Sequence, residues 1–273
     1  MPDLQNTRIE HMKIIEAIQW EYWRLSDEIC PHLIDVKTVK ETEFPLHNLL
    51  EKQMMYSSTR SIFQVYMEVI WFFMMALATD NIANTLPAGG TKNYFLHRHL
   101  SYYAKHCIPQ FFRFVEHVAF HFHNISLGTA LKKKVSETQI SYKFMRNRNN
   151  LKNSDYSNLT PEQIRVALFL PFKNLSRYEY RRILLLRNLY THRYDIGIDS
   201  MTSNLLKPSR VKKLSIAFPR PFMSFGGPDG YQAYHRPLLL FQSLRVPLST
   251  MRDNIILTMK HLARENLIIY NEG

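Results

Sequence analysis

Cysteine is scarce in this sequence, because Cys30 and Cys107 are the only two among 273 residues. This scarcity excludes a disulfide framework and favours a reducing cytoplasm. Glycine, with 8 residues, is too rare for a collagen-like repeat, and a hydrophobic content of 45% excludes a disordered chain. The first residues lack the apolar stretch of a signal peptide, so we predict a cytoplasmic protein. With 13% aromatic residues, the chain has enough apolar material for one large core.

One apolar stretch, residues 61–79, comes close to the length that crosses a membrane. Glu68 lies inside this stretch, and no flanking cluster of Lys and Arg marks a cytoplasmic side. We therefore interpret the stretch as a buried helix of a large α-helical bundle and expect no membrane partner.

Acidic residues are rare in the C-terminal two-thirds of the chain. Residues 1–90 carry 7 Lys and Arg against 12 Asp and Glu, a net charge of −5. Residues 91–273 carry 28 against 11, a net charge of +17. Positive charge of this density attracts polyanions, among which nucleic acid is the commonest and an anionic membrane the next. A solvated basic surface without a ligand is the alternative.

Apolar residues at spacings of three and four indicate helices through most of the chain. The predicted helices cover residues 4–30, 45–79 and 94–123, a stretch that starts at Thr160, and residues 176–193 and 249–269. Pro109 is expected to interrupt the third helix, because proline lacks the backbone donor and clashes one turn back. The sequence therefore predicts an all-α fold, a single helical bundle domain spanning residues 1–273.

Two segments lack a helical period. Residues 132–158 are polar and indicate an exposed, mobile loop or insertion, whose Lys132 to Lys134, Arg146 and Arg148 could follow an RNA backbone or could simply be solvated. Residues 197–247 hold most of the late Pro and Gly, so we predict an irregular segment before the last helix, with a short strand at residues 211–218.

The helix predicted over residues 176–194 has the most informative polar pattern in the chain. At 100° per residue, its apolar arc consists of Ile183, Leu185, Leu186, Leu189 and Tyr190. The opposite arc contains Arg181, Arg187, Asn188, Thr191 and His192. Arg182 falls within the apolar arc, which predicts an irregular first turn. One face of a buried helix thus presents Arg, Asn, Thr and His together.

Such a face suits phosphodiester chemistry. The planar guanidinium of Arg187 matches a phosphate and the added negative charge of its pentacovalent transition state. His192, with an ordinary pKa near 6.5, can accept a 2′-hydroxyl proton or protonate the leaving 5′-oxygen. One histidine cannot easily do both in a single step, so two copies of the helix across a two-fold axis are expected if the site is catalytic. A solvated polar face without chemistry is the alternative.

Residues 187–192, with the sequence RNLYTH, resemble the R-N-x-x-x-H form of the R-x4-6-H signature of the HEPN superfamily. These all-α proteins are prominent in toxin–antitoxin, abortive-infection and RNA-cleaving defence systems. The resemblance implies a HEPN-like helical bundle and a metal-independent endoribonuclease without a cofactor. It also implies a homodimer that leaves 2′,3′-cyclic phosphate and 5′-hydroxyl ends, with RNA as substrate and an antitoxin protein as a further partner.

Carried over to this sequence, the resemblance assigns three catalytic roles. Arg187 would stabilise the scissile phosphate, His192 would be the general acid and base, and Asn188 would orient one of them. The residues that adjoin the motif are candidate RNA contacts, namely Arg181, Tyr190, Thr191 and Arg193.

Two rival functions stay open at this point. Some HEPN proteins have lost activity, so the chain could be a non-catalytic module that binds RNA or an acidic protein. A metal-dependent hydrolase is the other rival, because His117 and His121 have the i, i+4 spacing that can hold a metal on one helix face. The sequence has no HExxH motif there and no cysteine pair to complete a zinc site, so we expect no metal.

Overall fold

The computed structural model of the protein describes residues 2–33, 49–153, 159–191, 204–206, 222–227, 230–235 and 237–268. The fold is all-α, as predicted, because helices make up most of the described chain and carry its core. The described residues form eight α-helices: α1 (Pro2–Ile29), α2 (Leu49–Thr85), α3 (Gly90–Tyr94), α4 (Ser101–Ile125), α5 (Tyr142–Arg146), α6 (Pro161–Phe169), α7 (Arg177–Thr191) and α8 (Pro237–Arg264).

Three short strands lie between α7 and α8 in the sequence. They are β1 (Asn204–Leu206), β2 (Phe222–Gly227) and β3 (Gly230–His235), and they pair antiparallel in the order β1-β3-β2. Gln232 of β3 lies opposite Leu205 on one side and Phe225 on the other. Residues 197–247 are predicted to be irregular, and this prediction is wrong for the residues that form the three strands. The strand predicted at residues 211–218 lies outside the described residues.

The chain divides into two compact units, each assembled from three separate stretches. The first contains Met1–Pro31, Ile70–Pro109 and Ser176–Ser249, and the second contains His32–Val69, Gln110–Leu175 and Thr250–Gly273. The core of the first includes the buried side chains of Ile18, Phe73, Phe95, Leu100, Leu186 and Phe241. The core of the second includes those of Ile62, Tyr66, Phe114, Phe122, Ile255 and Leu262.

Two predictions about helices that contain proline are wrong. Pro109 lies inside α4 without ending it, although a short π-helical segment, Phe95–Leu100, precedes that helix. The last helix begins at Pro237 rather than at residue 249 and contains Pro247. An internal proline costs a helix about 3 kcal/mol, and burial of the flanking apolar side chains offsets this cost. Those side chains are Ile108, Phe111, Leu244 and Leu248.

The polar run after α4 is more ordered than its composition suggests. Residues 132–153 contain α5 and two 3-10 turns, Glu137–Gln139 and Arg148–Asn150. Tyr142, Met145 and Leu151 are buried. Most of the other side chains in this stretch are exposed, and these three apolar side chains anchor it as short helical turns rather than as a loop without regular structure. Residues 154–158 lie outside the described part of the chain.

The second helix, α2, extends to Thr85 instead of ending at residue 79. Its portion Gln53–Thr85 is long enough to cross a membrane and contains an 18-residue window that is apolar enough, with a mean hydropathy of 1.6. In the structure, 67% of that apolar window is buried inside the protein. Burial of this extent is typical of the core helix of a bundle, and the absence of a membrane partner stays a prediction.

The carboxylate of Asp80 is buried near the end of α2 in the first unit, with a relative exposure of 1%. Arg245 of α8 donates to its Oδ2 at 3.2 Å, and Asn84 donates to its Oδ1 at 3.1 Å. Burial raises the pKa of Asp80 above its ordinary value, and the charge of Arg245 offsets only part of this effect. The offset is partial because Arg245 is itself about half exposed and its field is screened by water.

A capping box begins α6 at the position where the Thr160-Pro161-Glu162 sequence predicts a helix start. The Thr160 hydroxyl accepts from the Gln163 backbone at 3.2 Å, and Gln163 Oε1 accepts from the Thr160 backbone at 2.9 Å. We expect Thr160→Ala to lower the free energy of unfolding by about 1 kcal/mol, because one helix donor loses its partner. Urea denaturation measures this loss. Thr160→Ser keeps the cap and serves as the control, and equal losses in both variants would contradict the assignment.

Candidate functional site

Helix α7 carries the predicted motif, and a capping box at Ser176 and Glu179 starts it. The Glu179 side chain accepts from the Ser176 backbone N–H at 2.9 Å, and the Ser176 hydroxyl accepts from the Glu179 backbone N–H at 3.2 Å. A Ser followed three residues later by a Glu predicts a capping box, and the two hydrogen bonds confirm it. The negative charge of Glu179 in the first turn also complements the positive end of the helix dipole.

The two faces of α7 follow the predicted arcs. Ile183 and Leu186 are buried, with relative exposures of 1% and 0%. On the polar side, Arg181 and Asn188 are exposed and Arg187 is half-buried. A half-buried guanidinium keeps a stronger field than an exposed one, because less water screens it. The described part of α7 thus presents two cations and one amide away from its buried face.

Arg182 does not disturb the helix. The first turn of α7 is regular from Arg177, so the predicted irregularity is wrong. The Arg182 guanidinium lies over the Tyr178 ring, 5.6 Å from its centroid. Burial lowers the pKa of Arg182 from its ordinary value, and Tyr178 and Glu179 counteract this. The long arginine stem tolerates the edge of an apolar arc because its charged end can stack on an aromatic ring.

The rest of the motif lies at or beyond the end of α7. Tyr190 and Thr191 belong to the last turn of the helix, but their side chains lie outside the described residues. His192 and Arg193 lie outside them altogether. The helix therefore places Arg187 and Asn188 on one face, while the pairing of Arg187 with His192 stays a prediction.

The described side chains of this face have the chemistry to bind anions but not to transfer protons near neutral pH. A guanidinium keeps its charge at every physiological pH, and it donates several hydrogen bonds in one plane. Arg181 and Arg187 can therefore hold a phosphate and stabilise charge on it, and the Asn188 amide can donate a further bond. A general base near neutral pH would have to come from another residue, which in the motif is His192.

A second polar arrangement lies in the other unit, between α2 and α4. Ser58 Oγ lies 2.7 Å from His121 Nδ1, and Ser61 Oγ lies 2.8 Å from His117 Nδ1. The two serines are three residues apart on α2 and the two histidines four residues apart on α4, so each pair shares one helix face. Two serine–histidine pairs therefore bridge these helices side by side.

The surroundings of His121 determine its tautomer. Its Nε2 lies 2.5 Å from the carbonyl oxygen of Leu267, which can only accept, so Nε2 carries the proton. The opposite nitrogen, Nδ1, is then the acceptor for the Ser58 hydroxyl. That hydroxyl also lies 2.7 Å from the carbonyl oxygen of Met54 and 3.2 Å from that of Met55, so three acceptors compete for its proton.

Burial lowers the pKa of both histidines. Complete burial lowers the pKa of His121 to about 4, although the hydrogen bond to Leu267 acts in the opposite direction. His117 is half-buried, and burial followed by the nearby charge of Arg113 lowers its pKa, while Glu68 raises it. Both rings are therefore neutral near pH 7.

These pairs lie at a cavity of about 440 Å³ within the second unit. Its lining includes Ser57, Ser61, Glu116, His117 and Asn124. The Glu116 carboxylate accepts from the backbone N–H of Tyr142 at 2.7 Å, so it also anchors the start of α5. Most of the cavity's lining surface is apolar, and its polar side chains offer both donors and acceptors.

The hydrogen bonds of this cavity do not suit the metal-site alternative. Both ring nitrogens of His121 and the Nδ1 of His117 already have hydrogen-bond partners. Across the described ranges, no group of three His, Cys, Asp or Glu side chains is placed to hold a metal. The sequence shows the histidine spacing but not its serine partners, because those lie 63 and 56 residues away. Polar residues that share one face on each of two otherwise apolar helices are the sequence signal that could have indicated these serine–histidine pairs.

Comparisons with protein-family models, with curated proteins and with solved structures find no match to this chain. Its function therefore has to be inferred from its own residues.

Proposed function

We propose that this protein is a metal-independent endoribonuclease that cleaves RNA with Arg187 and His192. The observation that carries the proposal is the polar face of α7, where a half-buried Arg187 lies next to the exposed Asn188 at the end of a continuous helix. The resemblance of residues 187–192 to the HEPN signature supports it. The net charge of +17 over residues 91–273 supports it as well, because RNA is a polyanion.

The proposed reaction is an internal transesterification. The 2′-hydroxyl attacks the adjacent phosphorus and loses its proton to His192, and the bond from phosphorus to the 5′-oxygen breaks. The leaving oxygen takes a proton, so the products are a 2′,3′-cyclic phosphate and a 5′-hydroxyl. Arg187 stabilises the extra negative charge of the pentacovalent transition state, and Asn188 orients one of the two groups.

The proton balance supports a dimeric site. One proton must be removed and another delivered in the same step, which a single His192 cannot easily do. Two copies of α7 across a two-fold axis would supply two histidines and two arginines to one phosphate. We therefore propose a homodimer, and a monomer in solution with full activity would contradict it. An antitoxin protein that restrains the cleavage is the partner that the HEPN resemblance adds.

The direct test incubates the purified protein with total RNA in the presence of a chelator. We expect cleavage to continue, because no proposed step uses a metal. The new 3′ ends should be substrates for an RNA ligase that requires 2′,3′-cyclic phosphates, and the new 5′ ends should accept phosphate from a kinase. Cleavage that stops with the chelator, or that leaves 5′-phosphates, would refute the proposal.

RNA binding without cleavage is the second candidate function. The described side chains of the α7 face favour it, because Arg181, Arg187 and Asn188 bind anions and transfer no protons. This candidate predicts salt-sensitive RNA binding, no new RNA ends after incubation with total RNA, and little effect of His192→Ala on affinity.

A further inference from the structure

Four cationic side chains and one exposed aromatic ring surround two neighbouring cavities in the second unit. We name this surface the basic groove, and it is defined by Lys132, Arg146, Arg148, Arg165 and Phe169. The first cavity has a volume of about 500 Å³ and the second about 380 Å³. Arg148 lines both cavities, so they form one continuous surface.

The first cavity combines a positioned guanidinium with an exposed aromatic ring over which it lies. Arg146 donates from Nη1 to the Tyr142 hydroxyl at 2.7 Å. Its guanidinium carbon lies 5.7 Å from the ring centroids of both Tyr142 and Phe169. Phe169 is 47% exposed, although it is a large hydrophobic side chain. A planar cation beside an exposed ring forms a surface on which a flat group can stack.

The second cavity is shaped by the backbone. Leu131 and Leu151 form an isolated antiparallel bridge, in which the Lys132 N–H donates to Asn150 and the Lys152 N–H donates to Ala130. These hydrogen bonds measure 2.9 Å and 2.7 Å. They hold Lys132 beside the 3-10 turn that carries Arg148, so two cations line one small cavity.

The groove is built on a packed base. Met145, Ile164 and Leu168 have relative exposures of 0%, and they lie on the same short helices, α5 and α6, as Arg146, Arg165 and Phe169 of the groove. The Asn147 side chain accepts from the Asn149 backbone N–H at 3.0 Å and fixes the turn at Arg148. The cations are therefore presented by ordered backbone rather than by a mobile loop, which lowers the entropy that binding costs.

The charge of the groove is strongly positive. Glu162 is the one carboxylate among the described lining residues, and Arg165 donates to it at 2.5 Å. The hydrogen bond from Arg165 lowers the pKa of Glu162 by more than desolvation raises it, so the Glu162 carboxylate stays ionised. One arginine is thereby neutralised, and Lys132, Arg146 and Arg148 supply the remaining excess. An anionic ligand is the complement of this surface.

We propose that the basic groove binds single-stranded RNA, with phosphates at Lys132 and Arg148 and a base stacked on Phe169 beside Arg146. Cations that follow a backbone, together with an aromatic ring for a base, are how proteins hold unpaired nucleic acid. An acidic protein would not need the exposed ring, and a duplex would keep its bases stacked on each other. The choice of RNA over DNA rests on the proposed function, and the groove is a site separate from α7.

The test measures fluorescence anisotropy of a labelled, unpaired adenosine RNA of about 12 nucleotides, a length within the range of such sites. The full chain carries His192→Ala, so that cleavage does not consume the probe. Phe169→Ala should weaken binding by about 5- to 150-fold, the usual contribution of one stacked base. Arg148→Ala should weaken binding about 5-fold. It should also reduce the steepness of the slope of log association constant against log salt concentration by about 0.7.

Lys173→Ala is the matched control, because Lys173 is exposed in the same unit and does not line either cavity. It should bind RNA like the parent protein. Arg146→Lys keeps the charge but loses the planar group, so it should bind more weakly than the parent. Circular dichroism confirms that each variant is folded.

Three results would overturn the groove proposal. The first is that Phe169→Ala and Arg148→Ala bind the RNA with affinities within twofold of that of the Lys173→Ala control. The second is binding of duplex RNA or of the matching DNA as tightly as of the single strand. The third is complete competition by polyglutamate of equal charge. The nuclease proposal fails separately, because wild-type cleavage can be absent while these groove variants still weaken binding.

Discussion

Replacing His192 by alanine is expected to lower the rate of RNA cleavage by a factor of about 10² to 10⁴, the usual contribution of a general acid or base. Arg187→Ala is expected to lower it by about 10² to 10³, the usual effect of removing one donor to a developing charge. Both losses should appear in kcat rather than in KM, because they act on the transition state. Cleavage of a short labelled RNA under single-turnover conditions measures them.

The control for this pair is Arg177→Ala, because Arg177 is an exposed arginine at the start of the same helix. It removes one positive charge, as Arg187→Ala does, but it lies outside the motif. We expect it to keep the wild-type rate. Cleavage that survives both Arg187→Ala and His192→Ala would place the chemistry elsewhere and refute the proposed site.

Acidification is expected to destabilise the second unit through His121. The pKa of this ring is about 4 in the folded protein because of burial, whereas an unfolded histidine has a pKa near 6.5. Between these values the unfolded chain binds more protons than the folded one, so the free energy of unfolding falls as the pH falls. The loss of unfolding free energy should reach about 3 kcal/mol near pH 4 and be absent above pH 6.5.

Urea denaturation at a series of pH values checks this prediction, with His121→Gln as the decisive variant. Glutamine does not titrate, so the variant should be less stable at neutral pH but lose less stability on acidification. His117 faces the same cavity and its pKa is also lowered, so some of the slope should remain. His32→Gln, at an exposed position, should keep the wild-type profile. If the stability of His121→Gln fell with pH as steeply as that of the wild type, the assignment of this pH dependence to His121 would be contradicted.

Local signals in the sequence were sufficient for the starts of α6 and α7. The capping boxes at Ser176 and Thr160 involve residues three positions apart, so a short window contains everything that determines them. The buried face of α7 was predictable for the same reason, since Ile183 and Leu186 follow the helical period.

Long-range packing explains where the sequence predictions failed. Pro109 and Pro247 are breakers by local rules, but buried neighbours on both sides keep α4 and α8 continuous. The order within residues 132–153 was hidden because its apolar anchors are separated by polar residues. The serine–histidine pairs depend on partners more than fifty residues away, which no local pattern reveals.

The hydrogen bond between His121 and Leu267 also has a consequence for synthesis on the ribosome. The Ser58 partner of His121 is translated before the histidine, but the Leu267 carbonyl is translated 146 residues after it. Until then a buried N–H would lack its acceptor, at a cost of about 1–3 kcal/mol. The second unit, assembled from three separate stretches of chain, therefore reaches its final packing only after its last stretch, Thr250–Gly273, has been synthesised.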